Sequence, residues 1–169
     1  MKRSALQRKT PLRRKSPLRQ ESDSTLAIAH RELWEAFSLT IRNRDNWTCF
    51  TCGTKVNPSA TDGQGTSMRY YMHAGHYKRQ GSFKAVKYDG LNVAAQCENC
   101  NVEAEGNETA FALALERKYG FGILQEIERR SRLYFGYTIP VLEKLTQAAK
   151  IGWEEYKKVY DELRPKPQA

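Results

Sequence analysis

The sequence is short of several things, and each shortage excludes something. No apolar run approaches the roughly 18 residues that a membrane-spanning helix needs, so no membrane partner is expected. The N-terminus is basic but is not followed by an apolar stretch, so it does not read as a secretory signal. A cytoplasmic, reducing setting is the resulting expectation, and disulfides are rare there. Histidine occurs only at positions 30, 73 and 76, and cysteine only at 49, 52, 97 and 100. Any chemistry built on these side chains is therefore confined to a small part of the chain. Acid is missing from residues 1–20, which hold Lys2, Arg3, Arg8, Lys9, Arg13, Arg14, Lys15 and Arg19 but no Asp or Glu.

That last absence locates the charge. The net charge is +9, yet residues 21–169 carry 20 basic and 19 acidic groups, close to balance. The basic segment repeats itself, RKTPLR at 8–13 and RKSPLR at 14–19, and Pro11 and Pro17 disfavour helix within it. Residues 1–22 thus read as a disordered basic arm, of the kind that binds nucleic-acid phosphates by releasing counterions. Eight such contacts would give a salt slope of at most about −7.

The length suits one ordinary domain. Ser22–Asp23–Ser24 precede a helical pattern from about 25 to 44, with Leu26, His30, Leu33, Phe37 and Ile41 on one face. His30 reads as a helix histidine bonded to a neighbour. Residues 68–77 and 83–88 read as two short strands separated by Arg79–Gln80–Gly81. Helical patterns return from Asn101 to Tyr119, over 123–134, and from Pro140 to Leu163. In the last, Leu142, Leu145, Ala149, Tyr156, Val159 and Leu163 form a near-heptad seam, for internal packing or for a homodimer.

All four cysteines fall in two C-x-x-C pairs, Cys49/Cys52 and Cys97/Cys100. That spacing lets one turn place two thiolates about 3.7 Å apart on a tetrahedral zinc, with Zn–S near 2.3 Å. Gly53 permits the left-handed turn the first knuckle needs. A redox motif would need a βαβ context that neither pair has. Four thiolates leave no open position, so the zinc is structural. The expected fold is α+β: a zinc-centred core over residues 23–135 that includes the N-terminal helix, then a C-terminal helical extension over 136–169.

Between the knuckles lies HAGHY at 73–77, and Asn101 follows the last cysteine. On an extended strand, His73 and His76 point to opposite faces. One can then turn toward Asn101 and hold a divalent cation while the other approaches a substrate. Base and metal together are what phosphodiester hydrolysis requires.

The runs IRNRD, CFTCGT, HAGHYKRQG and YDGLNVAAQCENCN with the later EGN resemble the NinG/Rap family of lambdoid phage recombination proteins. The likeness covers about residues 36–107. These motifs are also similar to the HNH, or ββα-metal, nucleases, phage endonuclease VII among them. The resemblance implies an HNH-like nuclease domain and a metal-dependent endonuclease acting on branched DNA such as Holliday junctions, D-loops or flaps. It makes His76 the general base, Asn92 the residue that orients the loop and base, and Asn101 a ligand of a catalytic Mg²⁺ or Mn²⁺. His73 stands where the family often has Asp, in D-A-G-H-Y, so either histidine can serve either role, and Mn²⁺ should be favoured relative to Mg²⁺. Lys78, Arg79, Lys84 and Lys87 are candidates for contact with DNA phosphates beside the site, and other phage or host recombination proteins are candidate partners. The alternatives are a non-catalytic zinc-knuckle DNA-binding accessory protein and an HNH nickase of linear duplex.

Overall fold

The first helix is held in place by burial. The computed structural model describes residues 17–165, with side chains from residue 25 onward. Helix α1 (Pro17–Arg44) sets Ala29, Leu33, Phe37 and Ile41 four residues apart, and the last three are completely buried. It begins earlier than the pattern at 25 suggests. Proline lacks an N–H, but first-turn N–H groups have no helical partner anyway, so Pro17 opens the helix instead of blocking it. Lys2, Arg3, Arg8, Lys9, Arg13, Arg14 and Lys15 lie outside the described residues, as does the side chain of Arg19.

The end of α1 is bolted to the sheet. Asn46 and Trp47 adopt left-handed φ values of 51° and 53° and turn the chain. The Arg44 guanidinium donates to the carbonyls of Gly90 at 2.8 Å and Val93 at 2.9 Å, and it pairs with Asp45 at 2.7 Å. Asp45 in turn accepts the Ala95 N–H at 2.9 Å. Both side chains are buried, so losing one partner leaves an uncompensated charge, a cost of about 3–5 kcal/mol.

The sheet has two antiparallel strands, β1 (Met72–His76) and β2 (Val93–Cys97), paired from Met72–Cys97 to His76–Val93. The second strand is thus not 83–88, which instead forms turns and one 3₁₀ turn at Lys84–Val86. All five β2 residues are buried, so the strand shows no alternation, and its two alanines are weak strand formers. Residues 77–92 connect the strands as a long loop held by tertiary bonds. Tyr156 donates to the Tyr88 carbonyl at 2.7 Å, Tyr137 to the Ala85 carbonyl at 3.1 Å, and Asp89 pairs with Arg130 at 3.0 Å.

After β2 the chain makes one π-helical turn (Asn99–Glu103), then reverses through Glu105, Gly106 and Asn107, all at positive φ. The expected helix from Asn101 is therefore split, and its regular part is α2 (Glu108–Tyr119). Next come α3 (Ile123–Ser131), α4 (Ile139–Ile151) and α5 (Trp153–Leu163). The single C-terminal helix of the sequence reading is two helices, broken at Gly152, whose φ of 146° suits glycine. α5 folds back so that Lys144 lies 4.0 Å from Glu162. Leu142, Leu145, Ala149, Tyr156 and Val159 are consumed inside one core with α1, Tyr88 and Val93. A second cluster surrounds the cysteines, and a third joins Ala94 to α2 and α3. Among the described residues β1 pairs with β2 alone, and α1 lies beside β1: Arg42 donates to the Met72 carbonyl at 3.3 Å. No described helix is long and apolar enough to cross a membrane.

Gly90 is fixed by packing: a Cβ there would stand 2.1 Å from the Trp153 ring. Gly90→Ala should cost about 1–3 kcal/mol and lower Tm by several degrees, read by thermal denaturation. Gly63→Ala, in open space, should leave it unchanged. Equal Tm values for the two variants would contradict this packing.

Candidate active site and metal centre

The two C-x-x-C pairs meet. The four sulfurs lie within 4.8 Å of one another, and Cys52 and Cys97 are 3.7 Å apart, the edge of a tetrahedron around zinc. The first knuckle is a tight loop: the Cys49 N–H donates to Thr54 at 2.7 Å, the Gly53 N–H to Cys49 at 2.8 Å, and Gly53 has φ 78°. The Phe50 N–H reaches the Ala95 carbonyl at 2.7 Å and ties this knuckle to β2. Cys97 ends β2, and Cys100 comes from the π-helical turn, not from a regular helix. All four thiols are free of disulfides. Burial raises Cys97 and Cys100, whereas at Cys49 hydrogen bonds from Thr51 and nearby backbone outweigh burial and lower it, and a bound cation would favour the thiolate form of all four. The donor set fits zinc, with every position taken by sulfur.

His76, the last residue of β1, is held on two sides. Its ring stacks on Trp34 of α1, with centroids 5.3 Å apart and planes at 17°. Its Nε2 lies 2.9 Å from the Lys87 carbonyl. A carbonyl only accepts, so Nε2 carries the proton and Nδ1 keeps the lone pair. Burial holds the His76 pKa below the ordinary histidine value. The nearby Lys87 ammonium works in the same direction, against the raising effect of the carbonyl bond. The result is a neutral imidazole with one free basic nitrogen, on the wall of an open cleft of about 360 Å³.

Asn92 fixes the loop that supplies that carbonyl. It is fully buried, with Oδ1 accepting the Lys78 N–H at 2.7 Å and Nδ2 donating to Lys78 at 3.1 Å and Val86 at 3.0 Å. Next to Lys87, the Tyr88 hydroxyl donates to the His30 carbonyl at 3.1 Å and lies 3.0 Å from His30 Nδ1. Asn92 therefore acts through the loop on His76 and does not line the cleft.

His73 and Asn101 line the same cleft as His76. Nε2 of His73 is in contact with the Glu98 carboxylate, so an acid does stand at this position, supplied by the residue after β2. Gln96 is the cross-strand partner of His73 and is wholly buried; its Nε2 donates to Gly106 at 2.8 Å, and its Oε1 has no partner. A Cβ on Gly75 would stand 2.0 Å from that Oε1 and 2.9 Å from Asn101 Oδ1. Gly75 thus makes room for two amide groups behind and beside the cleft. Imidazole, carboxylate and amide oxygen are the kinds of ligand that could hold Mn²⁺ or Mg²⁺.

Arg42 also lines this cleft, and Glu98 reaches it through its contact with His73. Lys78 is placed differently: it pairs with Glu128 of α3 and lies over the Phe83 ring at 5.0 Å, away from the His76 cleft. Arg79 is exposed, and its carbonyl caps the turn at Ser82 and Phe83. Sequence reasoning missed Trp34, the Lys87 carbonyl, Glu98 and Gln96. Of these only Glu98, an acid inside the second C-x-x-C, carried a visible signal.

Chelating the metal should unfold the region around residues 48–103, read as loss of far-ultraviolet dichroism after one zinc per chain has been removed. An unchanged spectrum after verified removal would contradict a structural role. Cys97→Ser should reduce the zinc content well below one per chain by elemental analysis.

A family model described as "Bacteriophage Lambda NinG protein" matches residues 2–160. Among curated proteins, the chain is 28% identical over 109 residues to "Protein ninG" of Salmonella phage P22, covering 61% of this chain and 48% of that protein. The corresponding protein of Escherichia phage 933W gives the same figures, and that of Escherichia phage lambda is 27% identical over the same length. The match spans about half the length of these relatives. No solved structure matches. A family match across nearly the whole chain, with its histidine strand set between two cysteine knuckles, makes the protein a member of the NinG family.

Proposed function

We propose that the protein is a metal-dependent, structure-selective DNA endonuclease that cuts branched recombination intermediates, built on an HNH-like ββα core. The observation that carries this reading is His76: a neutral imidazole with Nε2 tied to the Lys87 carbonyl, sharing a cleft with His73 and Asn101. The β1–β2 hairpin followed by a helical turn that brings Asn101 to the cleft has the order of an HNH core.

His73 and Asn101, with Glu98 beside them, would hold the catalytic Mg²⁺ or Mn²⁺. Such a cation supplies charge stabilisation at the phosphate and leaving oxygen. Nδ1 of His76 accepts the proton of the attacking water while the Lys87 carbonyl and Trp34 keep the ring from turning. The imidazolium formed is buried beside Lys87, which favours its return of the proton to solvent through the open cleft. Glu98 supplies the negative charge that His73 lacks, so the histidine at that position is compatible with metal binding.

Purified zinc-loaded protein should cleave a labelled four-way junction or flap faster than linear duplex when Mg²⁺ or Mn²⁺ is added, and not when both are left out. Binding without metal-dependent cleavage would instead favour a zinc-knuckle DNA-binding accessory protein. Equal cutting of all three substrates would remove branch selectivity. His76→Ala should lower cleavage by at least about 100-fold and spare binding. Gly75→Ala should keep the zinc but lose most cleavage, because it displaces Asn101.

The pH dependence follows from the base. Only the neutral ring accepts a proton, so activity is present above the His76 pKa and is lost as pH falls through it. Because that pKa is lowered, the acid limb should bend below about 6.5. Lys87→Gln keeps the carbonyl and removes the ammonium, so the limb should move upward. A limb that stays in place would contradict this coupling.

A further inference from the structure

A second cleft of about 520 Å³ adjoins the one that holds His76, and the two share Gln80. It lies between the 80–87 loop and the segment that joins α3 to α4. Lys84 and Lys87 line it, no acid does, and neither lysine forms an ion pair among the described residues. Tyr134 also lines it and is 88% exposed, whereas its neighbours Phe135 and Tyr137 pack against the main core.

The two clefts form one path along α1. His30 lines the second cleft, and Trp34, Ser38 and Arg42 line the first, at successive steps of four residues. From His30 to Arg42 is about 18 Å of helix, the rise of about five stacked nucleotides at 3.4 Å each. Cations stand at both ends, Lys84 and Lys87 at one and Arg42 at the other, with His76 between them. Residues 21–169 are nearly balanced in charge, so the acid-free lining of the second cleft is a local segregation.

We infer that the second cleft is a subsite for an unpaired nucleotide next to the scissile phosphate, with the base stacked on Tyr134 and the phosphate met by Lys84 and Lys87. This rests on the nuclease reading of the His76 cleft. A flat exposed aromatic beside unpaired lysines is what single-strand binding uses, because every base offers a stacking face. A base held in a duplex is already stacked on its neighbours and gains nothing from Tyr134. The subsite therefore selects branched or flapped DNA over continuous duplex.

The test uses the zinc-loaded full chain with no Mg²⁺ or Mn²⁺ added, so that binding is read without cleavage. A decathymidylate carrying one 5-iododeoxyuridine is cross-linked by ultraviolet light and the adduct is mapped by mass spectrometry, beside equilibrium binding of the same oligomer and of a ten-base-pair duplex. The expected adduct is on Tyr134. Tyr134→Ala should weaken oligomer binding by at least about fivefold and duplex binding by less than twofold, and Tyr134→Phe should restore it. Adducts confined to the N-terminal basic arm, or equal oligomer binding by wild type and Tyr134→Ala, would overturn the subsite. A Tyr134 adduct in a protein that cleaves nothing would keep the subsite and sink the nuclease reading instead.

Discussion

The convergence of four sulfurs is the constraint from which the rest of the site follows. It joins Cys49 and Cys52, just after α1, to Cys97 and Cys100, at the end of β2. Everything between the knuckles is thereby closed into a loop anchored at both ends. The cross-link also sets the position of Asn101, which follows Cys100 directly and has no freedom to leave the cleft. Without it, a two-stranded sheet of five residues per strand is too small to be stable by itself.

A second layer of constraint orients the His76 ring. The loop over 77–92 has little regular structure, yet its backbone is held by Asn92, Tyr137, Tyr156, Arg44 and the Tyr88–His30 contact. These bonds converge on a stretch whose product is one carbonyl, that of Lys87, placed at His76. Many buried side chains thus serve a single backbone oxygen, and that oxygen decides which imidazole nitrogen is free. The C-terminal helices contribute to the same end, since Tyr156 on α5 holds Tyr88.

Part of this was legible in the sequence. The cysteine spacing gave the metal cluster, because C-x-x-C geometry is local and survives any fold. The odd separation of His73 and His76 suggested opposite faces, yet both side chains line one cleft, a convergence that the spacing did not announce. The position of β2 was not legible: VAAQC is buried on both faces and carries no period-two signal. The break at Gly152 was hidden by a seam that keeps its spacing across two helices. Trp34 is 42 residues from His76 in sequence, and the Lys87 carbonyl is a backbone atom, so no residue pattern announces either. Glu98 is the instructive case, since it stands inside a zinc motif, where an acid is easily taken as surface filler.

The central claim is that the fold presents His76 as a neutral base with Nδ1 free. Nitrogen-15 spectroscopy of the histidine rings in the zinc-loaded full chain, titrated from pH 8 to 5, tests it most directly. The His76 ring should be protonated on Nε2 alone at neutral pH and gain its second proton only below about pH 6.5. A ring protonated on Nδ1, or one that titrates above the ordinary histidine value, would contradict it.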